Sequence, residues 1–232
     1  MARTSASPRR GAMRRRRAAA VAGLIAAAMT PALAPAAATV SSVSPGDEIN
    51  HIESNGSNRC TLGYTFTRPG GTTLGITAGH CNAAPGKYVL DRTTGATGRF
   101  IVTVHHEVAP FEDYGVIDFG ANRSLPEMRG MRVAGTGFPD TTNAVCHTGI
   151  ASGVSCGQIA GMETQLRYLT TGISGIPGDS GGPVWQLNSD TSATIVGIWI
   201  GEHINDDGTH NGVFISLVDV MAQLEIDSAA NS

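Results

Sequence analysis

Glycine spacing sets the limits on what this chain can fold into. Thirty glycines run through 232 residues. With Pro, Asn and Asp they cut the chain into short runs such as Thr73–Thr77, Phe100–Val104, Tyr114–Phe119 and Thr194–Ile200. Many short β-rich runs between turn signals predict an all-β sandwich or barrel. Helical periodicity is scarce. The exception is Leu217, Val220, Met221 and Leu224, whose spacing predicts a short C-terminal helix.

The first 38 residues read differently from the rest. Seven arginines stand there without an acid, followed by the apolar run Ala18 to Met29 and a small-residue, Pro-containing stretch. A charged start, a hydrophobic middle and a small-residue cleavage region make an export signal peptide. Ala34-Pro35-Ala36 and Ala36-Ala37-Ala38 are both candidate cleavage sites. The apolar run is short for a membrane span. A twin-arginine signal and an uncleaved anchor are the rival readings. The expectation is a secreted, extracellular protein with no stable membrane association after cleavage.

Once that segment is removed, nine Lys and Arg face nineteen Asp and Glu. Such an acidic balance argues against nucleic-acid binding, which needs a basic face. About 190 residues remain, enough for one domain or for two small subdomains sharing a core.

The chemistry concentrates in Gly178-Asp179-Ser180-Gly181-Gly182-Pro183. A serine hydroxyl becomes a useful nucleophile only with a base to take its proton and donors to hold the oxyanion. Gly178 has no Cβ, so its N–H can turn toward a substrate carbonyl beside that of Ser180. For this string alone, an ordinary Gly-rich turn is the alternative. A base is available in Thr77-Ala78-Gly79-His80-Cys81, and a carboxylate in Glu112-Asp113-Tyr114-Gly115. A histidine base needs such a carboxylate to fix its tautomer. Asp118 is the rival orienter, and Glu112 reads as a solvated neighbour. His105 and His106 are adjacent and, in a strand, would point to opposite faces, so they are not expected to chelate one ion together. They are given surface or core roles. His51, His203 and His210 show no partner pattern, and Trp185 and Trp199 read as core aromatics.

The order His80, Asp113, Ser180 resembles the chymotrypsin-like serine proteases, over roughly residues 45 to 225. The nearer resemblance is to the secreted bacterial streptogrisin and α-lytic protease branch. It is carried by Pro45-Gly46-Asp47-Glu48-Ile49, Cys60-Thr61-Leu62-Gly63-Tyr64, Asp113-Tyr114-Gly115 and Val145-Cys146-His147-Thr148-Gly149 with Cys156-Gly157. The resemblance implies two six-stranded antiparallel β-barrels with the active site in the cleft between them. The divisions expected are a signal peptide over 1–38, an N-terminal barrel over 39–125 with His80 and Asp113, and a C-terminal barrel with the helix over 126–232 with Ser180. It implies a monomeric serine endopeptidase acting on peptide or protein substrates through an acyl-enzyme. A catalytically weak, peptide-binding homologue and an esterase are the competing readings. Gly178 and Ser180 would form the oxyanion hole. Ser174, Ile176, Pro177, Ile200, Gly201 and Glu202 would form the specificity pocket, which would favour small or basic side chains.

Four cysteines in an exported chain read as disulfides, with three possible connectivities. The resemblance and short loops favour Cys60–Cys81 and Cys146–Cys156. The spacings fit no C-x₂-C metal pair, and no metal or cofactor is expected. The chain departs from the branch at several points. Ser174 stands where a further cysteine would be, and His147 where the branch tends to carry an arginine. No long pro-region intervenes before Pro45, and no Ile-Val-Gly-Gly activation start is visible. His147, as a cation, is one expected partner for Asp179; Arg132 or Arg167 is the other.

Overall fold

The computed structural model describes residues 40–51, 59–82, 87–108 and 111–230. The expected signal peptide lies outside the described residues. Among the described residues, seventeen strands and one α-helix follow in order. The first nine strands are β1 (Ser42–Val43), β2 (Glu48–His51), β3 (Arg59–Thr61), β4 (Tyr64–Thr67), β5 (Thr73–Thr77), β6 (Tyr88–Asp91), β7 (Thr97–His105), β8 (Asp113–Asp118) and β9 (Arg123–Ser124). Then come β10 (Glu127–Met128), β11 (Met131–Thr136), β12 (Val145–Gly149), β13 (Gly153–Met162), β14 (Arg167–Thr171), β15 (Pro183–Ser189), β16 (Ser192–Ile204), β17 (His210–Ser216) and helix α1 (Leu217–Ala230).

The architecture is all-β as expected, with one closed six-stranded barrel, one sheet curled into a half-barrel, and a C-terminal helix. The first sheet runs β3-β2-β6-β7-β8-β5-β4. Its two edge strands, β3 and β4, are separated in the chain only by Leu62 and Gly63. The sheet curls into a half-barrel, and the short β3–β4 connection brings its two edges near each other. The second sheet closes outright: β16-β15-β12-β13-β14-β17 is a ring, because β17 also pairs with β16. All four expected strand runs lie in or overlap β5, β7, β8 and β16, and the helix begins at the expected Leu217 but runs longer.

Alternation along the strands sets the cores. Ile49, Val89, Phe100, Ile117 and Phe119 fill the first barrel. Val145, Val184, Val196, Trp199 and Phe214 fill part of the second. A third apolar cluster takes Ile76 and Tyr114 from the first barrel with Ile195, Ile198 and Ile215 from the second, and it also receives Leu217 and Val220 of α1. At about 1.5–3 kcal/mol per fully buried aliphatic or aromatic side chain, this shared layer fixes one barrel against the other. Both expected disulfides are present, Cys60–Cys81 and Cys146–Cys156, and there is no free cysteine.

Candidate active site

Strand register brings His80 and Asp113 together. In the antiparallel β5–β8 pair, Thr77 faces Gly115. Two residues earlier on β8 is Asp113, so its carboxylate arrives where the chain leaves β5 and makes the 3₁₀ turn Gly79–Cys81. The His80 backbone N–H donates to Asp113 Oδ1 at 2.8 Å, and Nδ1 lies 2.6 Å from Oδ2. One carboxylate thus grips both the backbone and the ring of the same histidine. Burial works against the Asp113 charge, but the hydrogen bonds and charge of His80 outweigh it and hold its pKa below the usual carboxylate value. The disulfide at Cys81 and the hydrogen bond between the His51 ring and the Cys81 carbonyl anchor the turn from the other side. Asp118 sits at the far end of β8, caps the Gly120 N–H, and is not the partner of His80.

The Ser180 loop is shaped by the opposite barrel. Thr61 of β3 donates its backbone N–H to the Ser180 carbonyl at 2.8 Å and its hydroxyl to the Gly178 carbonyl at 2.9 Å. The Gly181 N–H donates to the Trp199 carbonyl at 2.7 Å. Gly181 has φ of +83°, and a Cβ there would lie 1.9 Å from Thr77 Oγ1. Only glycine allows the Ser180 loop to press this closely onto the end of β5, one turn from His80. Gly178 has φ of +112°, again a conformation that L side chains avoid. Among the described residues, no acceptor engages the Gly178 or Ser180 N–H. Those are the two donors an oxyanion hole requires.

His80 and Ser180 line the same cavity of about 580 Å³, together with Gly178, Ile176, Pro177, Gly201 and Glu202. Among the described residues Ser180 Oγ makes no hydrogen bond to His80; in unliganded sites that contact often tightens only with substrate. Of the expected pocket residues, Ser174 and Ile200 lie outside this lining. Ile200 faces a second cavity instead, and Gly175 and Trp199 take part in the first. Trp199 is buried, as a core aromatic, and still contributes to the cavity wall.

Glu202 has a role that sequence reasoning left open. Its Oε1 accepts the Gly175 N–H at 3.1 Å and its Oε2 meets His210 Nδ1 at 2.9 Å. The carboxylate therefore ties the Gly175 segment to strands β16 and β17. The His210 hydrogen bond, opposed by slight burial, holds the Glu202 pKa below its usual value.

Asp179 departs from both expected pairings. Its carboxylate accepts the N–H groups of Ile176, Ala151 and Ser152 at 2.9–3.0 Å. Burial raises its pKa, but these donors win and hold it low. No cation is needed. His147 stacks on Trp199 with ring centroids 4.5 Å apart. Burial pushes its pKa down to about 4, so it is neutral rather than the partner cation. Arg167 instead pairs with Glu163 at 2.8 Å.

No protein-family model matches the chain. Over 196 residues it is 31% identical to the uncharacterized protein Rv1815 of Mycobacterium tuberculosis, covering 78% of this chain and 82% of the relative. It is 34% identical over 143 residues to streptogrisin-C of Streptomyces griseus, covering 55% of this chain but only 30% of that longer protein. Among solved structures, Thermobifida fusca protease A superposes with a TM-score of 0.59 at 22% identity, covering 79% of this chain and 96% of that one. With the two barrels in place, these likenesses make the chain a member of the chymotrypsin-like serine protease family. Within that family it stands with the bacterial streptogrisin branch.

Proposed function

We propose that this protein is an exported serine endopeptidase in which Ser180, His80 and Asp113 act as a triad. Ser180 Oγ attacks the scissile carbonyl, and His80 Nε2 takes its proton and later hands it to the leaving amine. Asp113 stays ionised and holds the imidazole in the productive tautomer. The free N–H groups of Gly178 and Ser180 receive the oxyanion; losing one such donor typically costs about 2.7–4 kcal/mol in the transition state. Water then hydrolyses the acyl-enzyme. The observation that carries this reading is the double grip of Asp113 on His80, beside a cavity that Ser180 also lines.

Export fits the arginine-rich, apolar N-terminal segment and two disulfides, which persist in oxidising compartments. The pocket reading follows from Glu202. An anionic carboxylate on the wall of a cavity next to the nucleophile favours a small or basic side chain before the scissile bond. The missing Oγ–Nε2 hydrogen bond favours one rival, a homologue that binds peptides without cutting them.

A fluorophosphonate probe separates these. Stoichiometric labelling at Ser180 is the expected result, and it requires the histidine base. An unlabelled chain with native circular dichroism overturns the hydrolase reading. Digestion of a peptide library then tells peptidase from esterase and reads the pocket, with cleavage after Lys, Arg or small residues expected.

A further inference from the structure

The catalytic carboxylate has a second histidine. In the β7–β8 pair His105 stands directly opposite Asp113. Opposed residues of an antiparallel pair project from the same face. Accordingly His105 Nδ1 lies 3.3 Å from Asp113 Oδ1, on the flank away from the His80 ring bond. The two imidazoles meet edge to face with centroids 5.8 Å apart. One ligand atom from each of His80, His105 and Asp113 falls within 4.8 Å of the other two. The His105 side chain is 41% exposed. It borders a cavity of about 330 Å³ that Asp113, Glu202 and His203 also line. That cavity gives a small cation access to His105 and Asp113.

We infer that His80, His105 and Asp113 form an inhibitory site for a borderline divalent transition metal of the Zn²⁺ class. Two imidazoles and one carboxylate are a donor set that such ions favour over Mg²⁺ or Ca²⁺, which prefer all-oxygen shells. Tetrahedral zinc with bonds of about 2.0–2.2 Å spaces its ligand atoms roughly 3.4 Å apart. The His105–Asp113 contact already has that spacing. The 2.6 Å His80–Asp113 contact is the one that opens to admit the ion.

Inhibition follows from the tautomer. In the triad, His80 keeps its proton on Nδ1 and offers a lone pair on Nε2. A metal on Nδ1 requires that lone pair to move: the ring proton leaves Nδ1 and the neutral imidazole carries it on Nε2. Nε2 is then a donor and cannot receive the Ser180 proton. The ion also takes up the charge of Asp113 that steadies the imidazolium. Nothing is consumed, and a chelator restores the resting state.

Metal binding can be measured whether or not the chain is a peptidase, so the two readings fail separately. Only the inhibitory part rests on the proposed triad. Zn²⁺ is titrated calorimetrically into the full exported chain carrying Ser180→Ala, and Co²⁺ serves as a visible-absorption probe. One equivalent is expected, with Co²⁺ bands of a low-coordinate site. His105→Gln should raise the apparent Kd roughly tenfold or more. His105→Asn provides a second variant, and thermal melts confirm that both are folded. In the parent chain, Zn²⁺ should slow fluorophosphonate labelling of Ser180, with reversal by chelator. In His105→Gln the ratio of rates with and without Zn²⁺ should return toward one. No binding up to millimolar Zn²⁺, or equal affinity in folded His105 variants, overturns the site. Binding with normal His105 dependence but unchanged labelling overturns the inhibition while leaving the site.

Discussion

The two barrels hold their contributions to the site in different ways. The N-terminal sheet is curled into a half-barrel and supplies Asp113 from the start of β8 and His80 from the short turn just after β5, so pairing register sets their geometry. The C-terminal barrel closes through complete strand pairing, yet it supplies Ser180 from a turn. That turn has no ladder of its own. It keeps its shape through Thr61 of the other barrel and through the buried Asp179 carboxylate beneath it. Regular structure can place a side chain; presenting bare backbone N–H groups takes an irregular segment whose polar groups are satisfied from outside.

The contrast can be broken most severely at the proposed nucleophile. Ser180→Ala should lower kcat roughly 10⁶-fold with thermal stability nearly unchanged, as read by single-turnover peptide hydrolysis and calorimetry. On the other barrel, Asp113→Asn should cost about 10⁴-fold in kcat, because an amide cannot hold the His80 N–H and ring in the same tautomer. Activity lost equally in both variants would mean that the barrels contribute more symmetrically than their geometry implies. Replacing Cys60 and Cys81 together by Ser should cost about 3 kcal/mol in denaturant unfolding. Activity should fall further than the stability loss explains, since the bond anchors the His80 turn.

Acid and base sharpen the comparison, because His147 and Asp47 are displaced in opposite directions, downward in one barrel and upward in the other. His147 in the C-terminal barrel has a folded pKa near 4 against an ordinary 6.5. Its contribution to stability is complete above about pH 6.5 and is lost as pH falls toward 4, a swing of about 3 kcal/mol. His147→Phe should flatten that acid limb in melts taken across the window. In the N-terminal barrel, burial and then the negative charge of Asp91 push Asp47 up to about 7. Its contribution is complete below about pH 3.8 and is lost as pH rises through 7. Asp47→Asn should raise stability at pH 8 by something on the order of 1 kcal/mol after solvent screening, with little change at pH 4.

The fold was legible because strand runs and turn residues agree along the chain, and the three motifs lie in a recognisable order. Asp113 could be chosen over Asp118 from its Tyr-Gly context. The failures are equally specific. A buried carboxylate such as Asp179 asks, in sequence, for a cation; three backbone N–H groups from Ile176, Ala151 and Ser152 do the same work, and no side-chain pattern announces them. For His105, the sequence says only that neighbours on a strand diverge. That argument separates it from His106 but says nothing about the residue across the ladder, and β7–β8 register makes that residue Asp113. Glu202 joins Gly175 and His210, positions 27 and 8 residues away, which only the pairing of distant strands brings together.

The Thr61 braces have a consequence for synthesis. A ribosome makes the half bearing Thr61 first and the half bearing Ser180 last. Until the second barrel docks, the serine sits in a loop without the bonds that aim its amides, and the histidine waits at the end of a sheet with nothing to deprotonate. On the proposed function, a finished chain whose second barrel has not yet docked carries all three side chains and no working assembly of them.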